Sequence, residues 1–165
     1  MSHHIRPLDP LDLQPLTTLW HDGWREAHLE HVPEGLIRLR TRDSFTPRLL
    51  AFGDGLRVAG PVGAPVGMCA TREDELDQLF VAPEARGTDL AQRLLADGEA
   101  RLAKAGIRRA HLLCVVENAR AVRFYTRQGW ESVGVRCEPV QTAEGPFSFD
   151  VLRFEKDLPT APPPK

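Results

Sequence analysis

Three stretches of this 165-residue chain bring chemically able side chains together at informative spacings. The turn Pro83-Glu84-Ala85-Arg86-Gly87-Thr88-Asp89-Leu90-Ala91 follows a strand-like segment and runs directly into a helix pattern. A helix N-terminus offers unpaired N–H groups and the positive end of the helix dipole, so this turn can hold an anion such as phosphate. A plain strand-to-helix connection has the same outline. Just before it, Glu75 and Asp77 stand two apart in ELDQLFV, a spacing that places both on one face of a strand. Their carboxylates are either proton acceptors or solvated strand-start residues. His28, with an ordinary pKa of about 6.5, is another group able to move a proton at neutral pH. The third stretch, Asn118 to Trp130, contains Tyr125, the only tyrosine of the chain. On a helix an aromatic residue ordinarily packs into the core.

Other groups carry weaker signals. His21, His28 and His31 are seven and three apart and form no H-E-x-x-H pattern, so no metal site is expected. Cys114 lies in an apolar run and should be inert, and Cys69 has no histidine beside it. Arg38, Arg40, Arg42 and Arg48 form a basic stretch that reads as a solvated face or as a preference for an acidic acceptor. Trp20 and Trp24, four apart, suit a core face of a helix better than pocket walls.

The elements that must position these groups follow from periodicity and punctuation. Leu13, Leu16, Leu19, Trp20, Trp24 and Ala27 recur at threes and fours, predicting a helix from Leu11 to about His28, interrupted by Pro33. A weaker helix is expected over Glu34–Arg42. Between Leu49 and Thr71, Gly and Pro break the chain into short strands of an antiparallel meander. A strand over Glu75–Val81 precedes a helix beginning at Leu90 and closed near Gly106. HLLCVV, His111–Val116, reads as a buried strand. Asn118 then caps a helix over Ala119–Gln128 that Gly129 closes. Two final strands are expected over Glu131–Arg136 and Phe147–Phe154. The order α, (α), β, β, β, α, β, α, β, β defines an α/β (α+β) domain over residues 1–157, followed by a Pro-rich tail, 158–165, expected to be disordered.

Composition bounds the function. With 42% hydrophobic and 27% charged residues the chain can bury a core, which excludes wholesale disorder. A formal charge of -2 gives no global field for nucleic acid or an anionic membrane, so neither is expected as a partner. Three cysteines without a C-x-x-C pair fit reduced thiols and a cytoplasmic setting, and the N-terminus lacks a signal-peptide core.

Asn118, Ala121, Phe124, Tyr125, Gly129 and Trp130 match the pattern Asn-x-x-Ala-x-x-Phe-Tyr-x-x-x-Gly-aromatic, and Arg86, Asp89 and Ala91 fall on a phosphate-loop pattern of Arg or Gln, two residues, Gly, one residue, then Gly or Ala. On these motifs the chain resembles the Gcn5-related N-acetyltransferase (GNAT) superfamily. Trp24, Ala27, His28 and Pro33 resemble positions of the family's first helices. The resemblance implies a mixed, mostly antiparallel sheet of six to seven strands with about four helices and a splayed parallel strand pair. It also implies acetyl-CoA as co-substrate and direct attack on its thioester by a small-molecule or peptide amine. By the same resemblance, main-chain groups of Leu79, Phe80 and Val81 hold the pantetheine arm, and Arg86, Gly87, Thr88, Asp89, Leu90 and Ala91 surround the pyrophosphate. Asn118 joins the cofactor contacts, Tyr125 protonates the departing thiolate, Glu75 serves as base, and Trp24 and His28 face the acceptor. A homodimer is compatible with the family.

One residue departs from the pattern. Asp89 stands where the family usually has Gly. It is expected to cap the helix starting at Leu90, contributing about 1 kcal/mol, while as a like charge it opposes a pyrophosphate. A catalytically weak CoA-binding module with the same fold is therefore the rival reading.

Overall fold

The computed structural model describes residues 3–142 and 144–159. Seven strands form one sheet: β1 (Ile5–Arg6), β2 (Leu56–Ala59), β3 (Gly67–Arg72), β4 (Glu75–Val81), β5 (Arg109–Cys114), β6 (Glu131–Thr142) and β7 (Gly145–Asp157). Their spatial order is β1-β2-β3-β4-β5-β7-β6. Every neighbouring pair is antiparallel except β4 and β5.

Helices cover both faces. On one side lie α1 (Leu13–His28), α2 (Glu34–Leu39) and α3 (Arg42–Ala51), whose Leu16, Trp20, Trp24, Leu36, Phe45 and Leu49 pack with Leu56, Val58 and Met68 of the sheet. On the other lie α4 (Leu90–Lys104) and α5 (Ala119–Arg127), where Leu90, Leu94, Leu95 and Leu102 meet Cys69, Leu76, Leu112 and Phe154. The threes-and-fours pattern of α1 and α4 thus marks the stripe each buries. Gly98 lets α4 sit close, since a Cβ there would lie 2.8 Å from the buried Sγ of Cys69.

Several boundaries differ from the sequence reading. The helix expected over Glu34–Arg42 is two elements, because the chain breaks at Arg40 and restarts after Thr41. The α3 segment begins at Arg42, where the expected helix was to end, and runs into the expected meander, so strands begin only at Leu56. Pro47 and few apolar positions hide it in sequence, yet Phe45 and Leu49, one turn apart, anchor it beneath Trp20. The buried strand covers Arg109–Cys114 rather than His111–Val116. The two last strands are far longer than the expected Glu131–Arg136 and Phe147–Phe154, so the segment from Glu138 to Phe147 belongs mostly to a hairpin. Pro139 is tolerated there because β6 is the sheet edge and needs no donor on its outer side. Leu158, assigned to the tail, is 6% exposed within the core and bonds its N–H to Arg108 O. The rest of the tail, from residue 160, lies outside the described residues.

Candidate active site

The central feature is where β4 and β5 part. The parallel strands pair only at Glu75 and His111, with His111 N–H bonded to Asp74 O at 3.0 Å, and then diverge. Main-chain groups alternate sides along a strand, so register decides which of them face the opening. Ala82 N–H donates to Val66 O, and Phe80 and Gln78 stand opposite Met68 and Ala70. By that alternation the main chain of Phe80 is used by β3, and that of Leu79 and Val81 points toward β5. On the opposite wall, Leu158 N–H donates to Arg108 O, and Leu112 and Cys114 stand opposite Phe154 and Leu152 of β7. The main chain of Leu113 therefore faces Leu79 and Val81, while just past the strand the Val115 carbonyl accepts from Asn118 N–H at 3.0 Å. The half-buried main-chain groups of Leu79, Val81 and Leu113, not used by the strand ladders, can hydrogen-bond a ligand rich in amides. Leu113 was not singled out from sequence, since main-chain chemistry leaves no mark on side-chain type.

The gap opens into a cleft of about 1220 Å³ lined by both helical layers. That exceeds the roughly 300–1,000 Å³ of a usual small-molecule pocket and suits an extended ligand plus a second one.

On the α4 side lies the turn singled out for anion binding. Gly87 takes φ of +76°, with open space where a Cβ would be. The hydroxyl of Thr88 donates to Ala85 O at 2.6 Å and accepts from Leu90 N–H at 3.3 Å. Thr88 thus takes the capping role expected of Asp89, whose exposed side chain makes no cap bond. Leu90 is buried in the core and its amide is taken by Thr88, whereas the N–H groups of Ala91 and Gln92, in the first turn of α4, have no intrahelical acceptor. The Arg86 guanidinium is tied bidentately to Glu26 of α1, at 2.7 Å for both bonds. Arg86 thus fastens the turn to α1.

Beside this turn, Asn118 Oδ1 accepts from Ala121 N–H at 3.2 Å, the expected cap of α5. Tyr125 packs edge-on against Phe124 and Trp130 and lines the cleft. Burial pushes its phenol well above the ordinary range. Tyr125 therefore stays protonated at neutral pH, its hydroxyl able to donate a hydrogen bond. Burial likewise holds the Cys114 thiol up at about 11, which keeps it unreactive.

The other half of the cleft belongs to α1, α2 and α3. Glu75 Oε2 lies 3.3 Å from His111 Nε2, and Asp74 Oδ1 lies 3.5 Å from Nδ1. The Glu75 carboxylate, foremost, raises the His111 pKa. This pair sits at the vertex of the parting strands. Register slips between Ala70 opposite Gln78 and Thr71 opposite Leu76, making Asp77 the extra residue of a β-bulge. Leu76 consequently packs toward α4 while Gln78 accepts from Trp20 Nε1 at 3.2 Å on the opposite face. Asp77 takes hydrogen bonds from Arg72 at 2.8 Å and Gln78 at 3.0 Å.

Trp24 and His28 line this side, their rings stacked with centroids 5.1 Å apart. His28 Nδ1–H donates to Trp24 O at 2.8 Å, leaving Nε2 as an acceptor. Burial lowers its pKa to about 4, so His28 is neutral at pH 7 and a weak base. Because the unfolded imidazole takes up a proton near pH 6.5 and the folded one does not until about 4, stability should fall as pH drops through that window. Urea midpoints measured from pH 7 to 4 should decline less steeply in His28→Gln.

A family model described as "Acetyltransferase (GNAT) domain" matches residues 41–141. Fold and family agree on the class. The chain belongs to the GNAT acetyltransferase family. Among solved structures, a Gcn5-related N-acetyltransferase from Rhodopseudomonas palustris superposes with a TM-score of 0.74 at 18% identity, covering 96% of this chain and 97% of that one. Ribosomal-protein-alanine N-acetyltransferase from Brucella melitensis gives 0.70 at 21% identity, covering 94% and 99%. PaiA N-acetyltransferase from Thermoplasma acidophilum, in complex with coenzyme A, gives 0.66 at 20% identity, covering 95% and 99%. No curated protein sequence matches significantly. Among the described residues, no helix is long and apolar enough to cross a membrane.

Proposed function

We propose that the protein transfers the acetyl group of acetyl-CoA to an amine by direct attack in a ternary complex. The observation that carries this reading is the parted β4–β5 pair, whose facing main-chain groups at Leu79, Val81 and Leu113 suit the amides of a pantetheine arm. The turn at Gly87–Ala91, with Gln92, receives the pyrophosphate through main-chain N–H groups. Fixed donors in the gap polarise the thioester carbonyl as charge develops on its oxygen. The amine nitrogen bonds to the carbonyl carbon, the C–S bond breaks, and the ammonium proton passes to Glu75 directly or through water. Tyr125 donates its hydrogen bond to the leaving thiolate. Its raised pKa places it further above a thiol of about 8.5 than an ordinary phenol, which favours stabilising the thiolate over complete proton transfer.

The experiment pairs a thermal shift with acetyl-CoA and a thiol-release assay across amines. A shift with release supports acetyl transfer, a shift without release across a broad panel indicates a CoA-binding module, and no shift refutes both. Asp89 bears on the cofactor step. Its φ of -82° needs no glycine, so its effect is electrostatic. Asp89→Gly should tighten acetyl-CoA binding about 3-fold at low salt and less at 0.5 M, read by calorimetry, as expected for one exposed like charge. Weaker binding by the variant would contradict this account of the loop.

A further inference from the structure

Two arginines of the α2–α3 layer are placed as no surface arginine would be. Arg40, at the end of α2, is 5% exposed and lines the cleft. Arg48, in α3, also lines it, its guanidinium carbon 4.4 Å over the Trp20 ring and 4.9 Å over that of Phe45. Stacking satisfies the face of a guanidinium and leaves its N–H edge unpaired. Arg40 Nε and Arg48 Nη1 are both buried without a hydrogen-bond partner among the described residues.

The nearby carboxylate does not answer them. Asp77 is engaged by Arg72 and Gln78, and among the described residues it forms no ion pair with Arg40 or Arg48. This corner thus holds three guanidiniums and one carboxylate. Burial, with Arg40 next in weight, lowers the Arg48 pKa to about 9, so Arg48 remains charged at pH 7. Two like charges, each with a buried unpaired donor nitrogen, are unfavourable unless an anion joins them.

We infer that the acceptor amine carries an oxyanion, a carboxylate or a phosphonate-like group, that pairs with Arg40 and Arg48 and sets acceptor specificity. The inference rests on the amine-acetylation reading for which ligand is meant. The cofactor's phosphates do not fill this role, because the Gly87–Ala91 turn leads into α4, on the opposite face of the sheet. A planar guanidinium binds such groups bidentately, and Trp24, His28 and Leu36 supply walls for the carbon skeleton between amine and anion.

The test uses the full chain and a matched series of amines two to six carbons long, each as carboxylate, phosphonate and neutral amide. With acetyl-CoA present, the better anionic member should exceed its amide in kcat/KM by about 30-fold or more, the lower end of what a buried charge pair commands. Which anion leads identifies the oxyanion. Arg48→Gln should shrink that ratio to a few-fold through KM with kcat little changed, and Arg48→Lys should restore part of it. Arg40→Gln gives the same reading should Arg48 variants misfold by circular dichroism. Equal use of amides overturns the inference while leaving acetyl transfer intact. If acetyl-CoA shifts the melting temperature but no amine is acetylated, calorimetry with the CoA-bound protein decides. Binding of anionic members that Arg48→Gln abolishes supports the inference, and no preference for them overturns it.

Discussion

Replacing Tyr125 by Phe should lower kcat about 100-fold and leave acetyl-CoA affinity within about twofold. The size follows from the range of roughly 10²–10⁴ for positioned proton donors, taken at its lower end because the phenol stabilises rather than fully protonates the thiolate. It corresponds to about 2.7 kcal/mol in the barrier. Structural side effects should be small. Burial and the nearby Cys114 and Cys69 thiols account for the phenol's shift, with no protein hydrogen bond among its causes, so Phe orphans no partner. The ring contacts to Phe124, Trp130 and Phe154 are retained. The pH profile offers a second check. Since burial raises the Tyr125 pKa, its proton is present throughout pH 6–9, and wild type should show no alkaline loss of rate in that range that the variant abolishes. Steady-state kinetics and calorimetry measure both quantities, and an unchanged kcat would remove Tyr125 from the chemistry.

What could be seen in sequence depended on whether the determinant was local. The strand Glu75–Val81, the start of α4 at Leu90 and the Asn118 cap were legible because each is written in adjacent residues: an apolar run, a turn, a capping side chain. The opening between β4 and β5 was expected from resemblance, but its wall at Leu113 follows from register with β7, which no local pattern encodes. Asp77 shows the same limit. Spacing by two places it beside Glu75, and the bulge that carries both Asp77 and Gln78 toward α1 appears only with β3 alongside. The basic stretch was the least legible. Arg38, Arg40, Arg42 and Arg48 look alike in sequence, yet Arg42 bonds Thr18 and Gln14 at the surface while Arg40 and Arg48 turn inward. The break between α2 and α3 separates their fates.

Trp20→Ala should be the most destabilising single change considered, costing about 3–5 kcal/mol, the range for emptying a buried aromatic site. Trp20 has no exposed surface, and it is the hub of its face of the sheet. Its ring meets Phe45 edge-on at 4.8 Å and Phe52 at 5.8 Å, which ties α1 to α3. Its Nε1–H donates to Gln78 beside the bulge, and its face carries the Arg48 guanidinium. Against a typical total of about 5–15 kcal/mol, such a loss leaves a marginal fold, so the urea midpoint should fall sharply. Trp20→Phe separates packing from the polar roles. It keeps a ring against Phe45, loses the bond to Gln78 and part of the volume, and should cost clearly less than Ala. Because Arg48 rests on this ring, the Phe variant should also weaken selection of anionic over neutral amines while still folding. A Phe variant as unstable as Ala would mean that the hydrogen bond to Gln78, rather than aromatic packing, holds α1 to the sheet.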